Sequence, residues 1–252
     1  MNPVHDSDRE LAELQEYLGD AYDGDRIKLY EQQLDDEYEE IGDEQRMYRE
    51  SQGYLYNLTA FAMTGTKLPY HAMLMRHVPR GAKLLDYGCG IGSDGLRFLE
   101  AGYDVTFADF DNPSTRYLRW RLEHRGLTAP IHDLDAGPPP GGFDATYAFD
   151  VIEHVEDPFG FLAKMEDQAD LVLVNFLEPE EGETDLHREL PVDDLVAHAA
   201  ARDLRDYRIE HRRSHVVLYG PQPAQGLARL RGRTLPMLAR CRRWIGSRSA
   251  GG

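Results

Sequence analysis

Cysteine is scarce in this sequence. There are two in 252 residues, Cys89 and Cys241, which excludes a disulfide scaffold and a Cys-based zinc site; no bound metal is expected. Lysine is scarce too, 4 against 24 arginines, a bias that carries no functional message. No apolar run approaches the ~20 residues that span a bilayer. The first 20 residues are acidic and lack a basic stretch leading into an apolar one, so no secretory leader is read and a cytoplasmic protein is expected. Positive charge is outweighed, 28 basic against 45 acidic residues and a net charge of -17. Such acidity repels phosphates and argues against general nucleic-acid binding.

What is present is a chain long enough for one large domain with appendages, 41% hydrophobic, and thus able to build a core. The charge is unevenly placed. Residues 1–50 hold 17 acids and 5 bases, whereas residues 221–252 hold 7 arginines and no acid. Leu11, Leu14, Tyr17 and Leu18 recur at helical spacing, and a second charged helical segment runs from Arg26 to about Ile41. Eight of the 14 tyrosines lie in the first 70 residues. Tyrosine has an apolar body and a polar tip, so Tyr22, Tyr30, Tyr54 and Tyr56 are candidate substrate-facing lid residues; amphipathic packing explains them equally well.

From Lys83 the pattern alternates. Strands are predicted at 83–87, 104–109, 129–133, 143–149 and 170–175, with helices at 93–100, 113–125, 158–165 and 192–201 between or after them. Two closing strands, 204–210 and 214–219, share a short link and should pair antiparallel. This alternation implies a parallel sheet with helices on both faces.

The segment Leu84-Leu85-Asp86-Tyr87-Gly88-Cys89-Gly90-Ile91-Gly92-Ser93 ends a strand and opens a helix. Its glycines permit a tight turn and close approach of a ligand to the backbone. Asp109 ends the next strand, where a carboxylate can accept both hydroxyls of a ribose. A dinucleotide turn wants a glycine at the position of Ser93, and a pyrophosphate would be repelled by Asp86. A cationic nucleoside suits Asp86 better on Coulomb grounds. Cys89, inside the turn, reads as a small buried filler rather than a nucleophile.

An acid followed by Gly-x-Gly-x-Gly, then an acid ending the next strand, resembles the class I S-adenosylmethionine-dependent methyltransferases. Phe149-Asp150-Val151-Ile152-Glu153-His154 resembles a signature of their small-molecule branch. The resemblance covers about residues 70–220. It implies a Rossmann-like α/β fold, a seven-stranded, mostly parallel sheet whose last strand is antiparallel. It implies S-adenosyl-L-methionine as cofactor, held by Asp86, Gly88, Gly90, Gly92, Asp109, Phe110, Asp133, Leu134 and Phe149. Asp133 would take the adenine amine; Phe110 and Phe149 would line the site or pack the core.

Three parts follow: a helical acidic cap or lid (1–69), the cofactor-binding domain (70–220) and a basic extension (221–252). Glu153 and His154 are the candidate catalytic pair, with His154 a general base or a structural contact. His187 and Arg188 follow the fifth strand and are candidate substrate residues, Arg188 as a carboxylate clamp. The extension reads as a basic helix broken at Pro236, or as a poorly ordered terminus. A third reading docks it on the acidic N-terminal region of its own chain or of a second copy in a homodimer.

The expected reaction is methyl transfer to an oxygen or nitrogen of a small molecule. Alternatives are attack on another sulfonium carbon, giving a cyclised amino acid and methylthioadenosine, a nicotinamide-dependent oxidoreductase, and a non-catalytic binding subunit.

Overall fold

The computed structural model describes residues 6–179 and 187–249. The chain divides into two compact units. One holds the residues up to His71 together with Arg80–Pro139, and the other holds Ala72–Pro79 and the residues from Pro140 onward. Seven strands run in the order β3-β2-β1-β4-β5-β7-β6, mostly parallel, with the last strand antiparallel, as the alternating pattern implied.

In the first unit, α1 (Ser7–Leu18) starts at Asp6, whose carboxylate accepts the Arg9 N–H, and carries Asp8 and Glu10 in its first turn. Acid there complements the positive helix end. Helices α2 (Tyr30–Ile41), α3 (Glu44–Glu50) and α4 (Gly53–Thr64) follow. α2 begins four residues later than the sequence pattern suggested, because residues 24–28 form turns. Leu14, Leu55, Tyr56, Ile91 and Tyr117 form one apolar cluster that joins α1 and α4 to the glycine turn.

Strands β1 (Lys83–Tyr87), β2 (Asp104–Asp109) and β3 (Ile131–Asp133) pair in parallel. β1 is buried over its last four residues, as in a strand covered on both faces. Helix α6 (Ser93–Glu100) links β1 to β2, and α7 (Pro113–His124) links β2 to β3; α5 (Leu68–His77) precedes them. α7 opens with a reciprocal cap. Asn112 accepts the Thr115 N–H, the Thr115 hydroxyl accepts the Asn112 N–H, and Pro113 takes the first turn. β3 starts at Ile131 rather than at 129, since Pro130 has no N–H for the ladder.

In the second unit, β4 (Ala145–Ala148) pairs in parallel with β5 (Val172–Leu177). β4 is shorter than the expected 143–149; Phe143 makes only an isolated bridge to Ala169. β7 (Ser214–Pro223) lies antiparallel to β5 and to β6 (Arg202–Glu210). The tight link places His211 and Arg212 at φ 49° and 68°, the left-handed geometry that matches strand twist in a hairpin. Helices α8 (Pro158–Glu166) and α9 (Val192–Ala200) complete the alternation.

The basic extension is a correction. It forms α10 (Leu227–Ser249), continuous through Pro236 and not broken there. A proline inside a helix removes the hydrogen bond to the carbonyl four residues back, here that of Gly232. Gly232 is held by packing instead: a Cβ there would come within 2.2 Å of the Ala200 carbonyl oxygen. Arg231 reaches Asp203 at 2.7 Å, Arg229 donates to the Ala224 carbonyl at 2.9 Å, and Arg240 pairs with Asp193. The acids that the described arginines meet are thus those of the helix's own unit.

Candidate active site

The glycine turn after β1 is tightened by backbone bonds. The Gly88 N–H donates to Ala108 and the Gly92 N–H to Cys89, both at 2.8 Å. Gly92 has φ +75°, and a Cβ there would lie 2.3 Å from Leu118 of α7; only glycine satisfies both constraints. Gly95, in the first turn of α6, lies so close to β1 and β2 that a Cβ would sit 2.7 Å from the Asp86 carboxylate and 2.2 Å from Phe107. The helix therefore seats its start directly against Asp86, which is 4% exposed.

Asp109 ends β2 as expected. Its carboxylate accepts the N–H of Gly90 and the N–H of Phe110, each at 2.7 Å. Burial raises its pKa to about 6, against the opposing pull of those two bonds. The acid thus braces the turn. Cys89 beside it has its thiol pKa pushed well up by burial, and further by Asp109 and Asp86. It stays protonated and is no nucleophile.

Asp133 is the register partner of Asp109 on β3. It accepts the Asp135 N–H at 3.0 Å and so caps the single helical turn Leu134–Ala136. Above this pair of strands lies a residue the sequence pattern did not mark. Arg49 of α3 places its guanidinium 4.6 Å from the centre of the Phe110 ring and binds Asp135 through both nitrogens, at 2.5 and 2.8 Å. A cation over the ring face and a two-pronged carboxylate contact fix the Phe110 ring plane.

The acidic N-terminus has a structural purpose of the same kind. Arg121 of α7 is fully buried. It donates to Glu13 at 2.8 Å, to Glu10 at 2.7 Å, to the Ile91 carbonyl at 2.9 Å and to the Ser93 hydroxyl at 2.8 Å. Arg125 adds two bonds to Glu13 at 2.7 Å. Two acids of α1 thereby lock onto two arginines of α7 and onto the end of the glycine turn. On α6, Asp94 pairs with His71 at 2.6 Å and Lys67 at 3.4 Å. Burial would raise its pKa, but Lys67 and His71 hold it well below the usual carboxylate range.

The tyrosines take different positions. Tyr56 is 3% exposed; its hydroxyl accepts the Asp23 N–H at 2.9 Å, and its ring stacks on Tyr22 at 6.0 Å. Both belong to the cluster under α1. Tyr54 packs on Tyr48 at 5.5 Å, and burial raises its hydroxyl pKa. Tyr30 is half-buried at the start of α2.

In the second unit, Phe149 is buried and stacked on Tyr147 at 5.1 Å. Asp150 follows at φ +55°. It is held there by Asn175, which accepts its N–H at 2.9 Å and donates to its carboxylate at 2.7 Å. A short helical turn, Ile152–His154, comes next. Glu153, 1% exposed, His154 and His187 each offer a ligand atom within 4.8 Å of the other two. The two imidazoles meet edge to face at 4.8 Å, and the Arg188 N–H donates to the Glu153 carbonyl at 2.8 Å. The candidate catalytic pair and a candidate substrate residue form one cluster. Arg188 presents its side chain to solvent.

Among the described residues no helix is long and apolar enough to cross a membrane. Residues 85–169 match a family model described as a methyltransferase domain. The polyketide synthase ThaQ of Burkholderia thailandensis is 27% identical over 145 residues, covering 52% of this chain but 7% of that protein, so the chain spans a small part of that relative's length. Among solved structures, magnesium protoporphyrin IX methyltransferase (ChlM) from Synechocystis PCC 6803 with bound SAH is similar with a TM-score of 0.55. That likeness is at 14% identity, over 65% of this chain and 86% of the other. The [4+2]-cyclase SpnF gives 0.54 at 15% identity, over 68% and 84%, and the PH0226 protein from Pyrococcus horikoshii OT3 gives 0.52 at 16%, over 68% and 92%. These solved structures share the fold. Residues 85–169 thus carry the pattern of a methyltransferase domain, and the solved structures share its fold.

Proposed function

We propose that this chain transfers the methyl group of S-adenosylmethionine to an oxygen or nitrogen atom of a small molecule. The observation that carries the cofactor assignment is Asp109, a carboxylate at the end of β2 held by two backbone N–H groups of the adjoining turns. In this reading Asp109 accepts the ribose hydroxyls. Asp133 accepts the adenine amine beside Leu134, Phe110 packs against the base, and Asp86 and the glycine backbone receive the cationic end. The donor set fits such a ligand: acids for a cation and hydroxyls, and no side chain on the turn glycines.

S-adenosylmethionine supplies a methyl carbon that already bears an excellent leaving group. The protein's task is to align the acceptor, exclude water and hold the acceptor in a nucleophilic form. Glu153 and His154 are assigned to that last task, His154 as the group that takes the acceptor's proton. Residues 1–69 act as the cap that shapes the acceptor site, with Tyr22, Tyr30, Tyr54 and Tyr56 as its aromatic residues, His187 and Arg188 as further acceptor contacts, and 221–252 as an extension. The likeness to a segment of a polyketide synthase supports an oxygenated small molecule as acceptor.

The fold alone does not fix the chemistry, and one of the structures it resembles is a [4+2]-cyclase. Mass identification of the adenosyl product decides. S-adenosylhomocysteine formed with an oxygenated acceptor supports methyl transfer; methylthioadenosine formed without an acceptor sinks it.

A further inference from the structure

We infer that Glu153, His154 and His187 bind a divalent first-row transition-metal ion, which in turn holds a hydroxyl oxygen of the acceptor. Two imidazole nitrogens and one carboxylate are the donor set of open metal sites, in which three protein ligands leave positions for a substrate oxygen. The three ligand atoms already lie within 4.8 Å of one another, so small side-chain rotations bring them around one ion. Glu153 is 1% exposed, and a buried carboxylate that stays ionised is one placed among donors or beside a cation.

Two further features hold the donors ready. Asp150, four residues before His154, is kept in a left-handed conformation by its paired hydrogen bonds with Asn175. Such a conformation persists where the surroundings over-determine it; here it sets the direction of the turn that carries Glu153 and His154. The Arg188 N–H bonded to the Glu153 carbonyl ties the residue after His187 to that same turn. Residues 33 positions apart in the chain are thereby brought to one place.

The cation's effect on the acceptor rests on the methyl-transfer reading; its binding does not. A hydroxyl bound to a divalent ion loses its proton near neutral pH, as bound water does. With the ion bound, His154 serves as its ligand instead of as the base, and the proton passes to solvent. The oxygen lone pair then forms the C–O bond as the C–S bond breaks, and the released pair stays on sulfur, leaving a neutral thioether. No oxidant or reductant is required.

The test uses the full chain, stripped with a chelator and titrated with Mn2+ (electron paramagnetic resonance) and Co2+ (visible ligand-field bands). S-adenosylhomocysteine binding is measured on the same samples by calorimetry. One ion per chain is expected, with affinity lowered about tenfold or more in Glu153→Gln and in His187→Ala. His187 is only half-buried, so its variant should fold and bind S-adenosylhomocysteine normally even if the buried Glu153 does not tolerate change. Protein that binds S-adenosylhomocysteine yet takes up neither ion stoichiometrically overturns the site, as does unchanged ion affinity in His187→Ala. Stoichiometric ion uptake without S-adenosylhomocysteine binding keeps the site and overturns the transferase reading instead.

Discussion

Asp109 and Asp133 are register partners at the ends of adjacent parallel strands, β2 and β3. Two acids at one level of a sheet repel each other unless each is occupied. Asp109 is occupied by the N–H groups of Gly90 and Phe110, and Asp133 by the N–H of Asp135. Both carboxylates are thereby aimed before any ligand arrives, which lowers the ordering cost of binding.

Cofactor affinity should therefore depend on pH through Asp109. Its pKa in the folded, ligand-free protein is raised from 3.8 to about 6. Ribose hydroxyls donate hydrogen bonds to the ionised carboxylate, so a bound cofactor favours loss of the proton. Affinity is full above pH 6 and falls as pH drops through 6, by up to about tenfold per unit. The sign for folding is opposite. A raised carboxylate pKa favours the protonated folded form, so this group's contribution to stability declines between about pH 4 and pH 6. Calorimetric titration with S-adenosylhomocysteine from pH 5 to 8 checks the first statement. Asp109→Asn should bind weakly with a flat profile; a sloping profile in that variant would assign the titration to another group.

Glu13 is 3% exposed and serves both Arg121 and Arg125. Removing one member of a buried ion cluster strands the others, at a cost of about 3–5 kcal/mol. Glu13→Ala should lower stability by that order in urea denaturation, and Arg121→Met should do likewise. The double variant Glu13→Leu, Arg121→Met should cost clearly less than the two single losses added together, because no charge is left uncompensated. The pH dependence has a definite sign. Burial raises the Glu13 pKa, but Arg125 and Arg121 outweigh it and the net shift is downward. Its stabilisation is thus present above the ordinary carboxylate range and is lost as pH falls through the lowered value. Additive single losses would sink the cluster as a cooperative unit.

Much of this architecture was legible in the sequence where the cause is local. β1, α6 and β2 have the bounds that their periodicity and flanking glycines implied. Gly88, Gly90, Gly92 and Asp109 fall where a strand, turn and helix must put them. What was not legible depends on residues far apart in the chain. Glu13 and Arg121 are 108 positions apart, and Arg49 and Asp135 are 86 apart. Neither pair leaves a periodic trace. The acidic N-terminus could be counted but not paired, and the cluster of Glu153, His154 and His187 could be named but not brought together.

Arg49 offers a separable test of the nucleoside region. Its pairing with Asp135 is exposed, and exposed pairs contribute about 0–1 kcal/mol to stability. Its position over the Phe110 ring acts on the surface against which the base should pack. Arg49→Ala should leave the melting temperature within about 2 °C and weaken S-adenosylhomocysteine binding several-fold. Arg49→Lys should restore little, since a compact ammonium cannot hold both carboxylate oxygens and cover a ring. Unchanged affinity in Arg49→Ala would remove α3 from the nucleoside site.

Pro236 tests why local rules failed in the last helix. α10 runs from Leu227 to Ser249 with this proline inside it, although an interior proline disfavours a helix by about 3 kcal/mol relative to alanine. Packing must offset that cost, and one close approach is that of Gly232 to the end of α9. Two substitutions should therefore act in opposite directions. Pro236→Ala restores the hydrogen bond to the Gly232 carbonyl and should stabilise the chain by up to about 3 kcal/mol. Gly232→Ala raises intrinsic helix propensity by about 1 kcal/mol, yet its methyl group would strike the Ala200 carbonyl oxygen, so it should destabilise. Thermal denaturation of the two variants beside the parent reads both signs. A stabilising Gly232→Ala would show that α10 does not depend on its seat against α9.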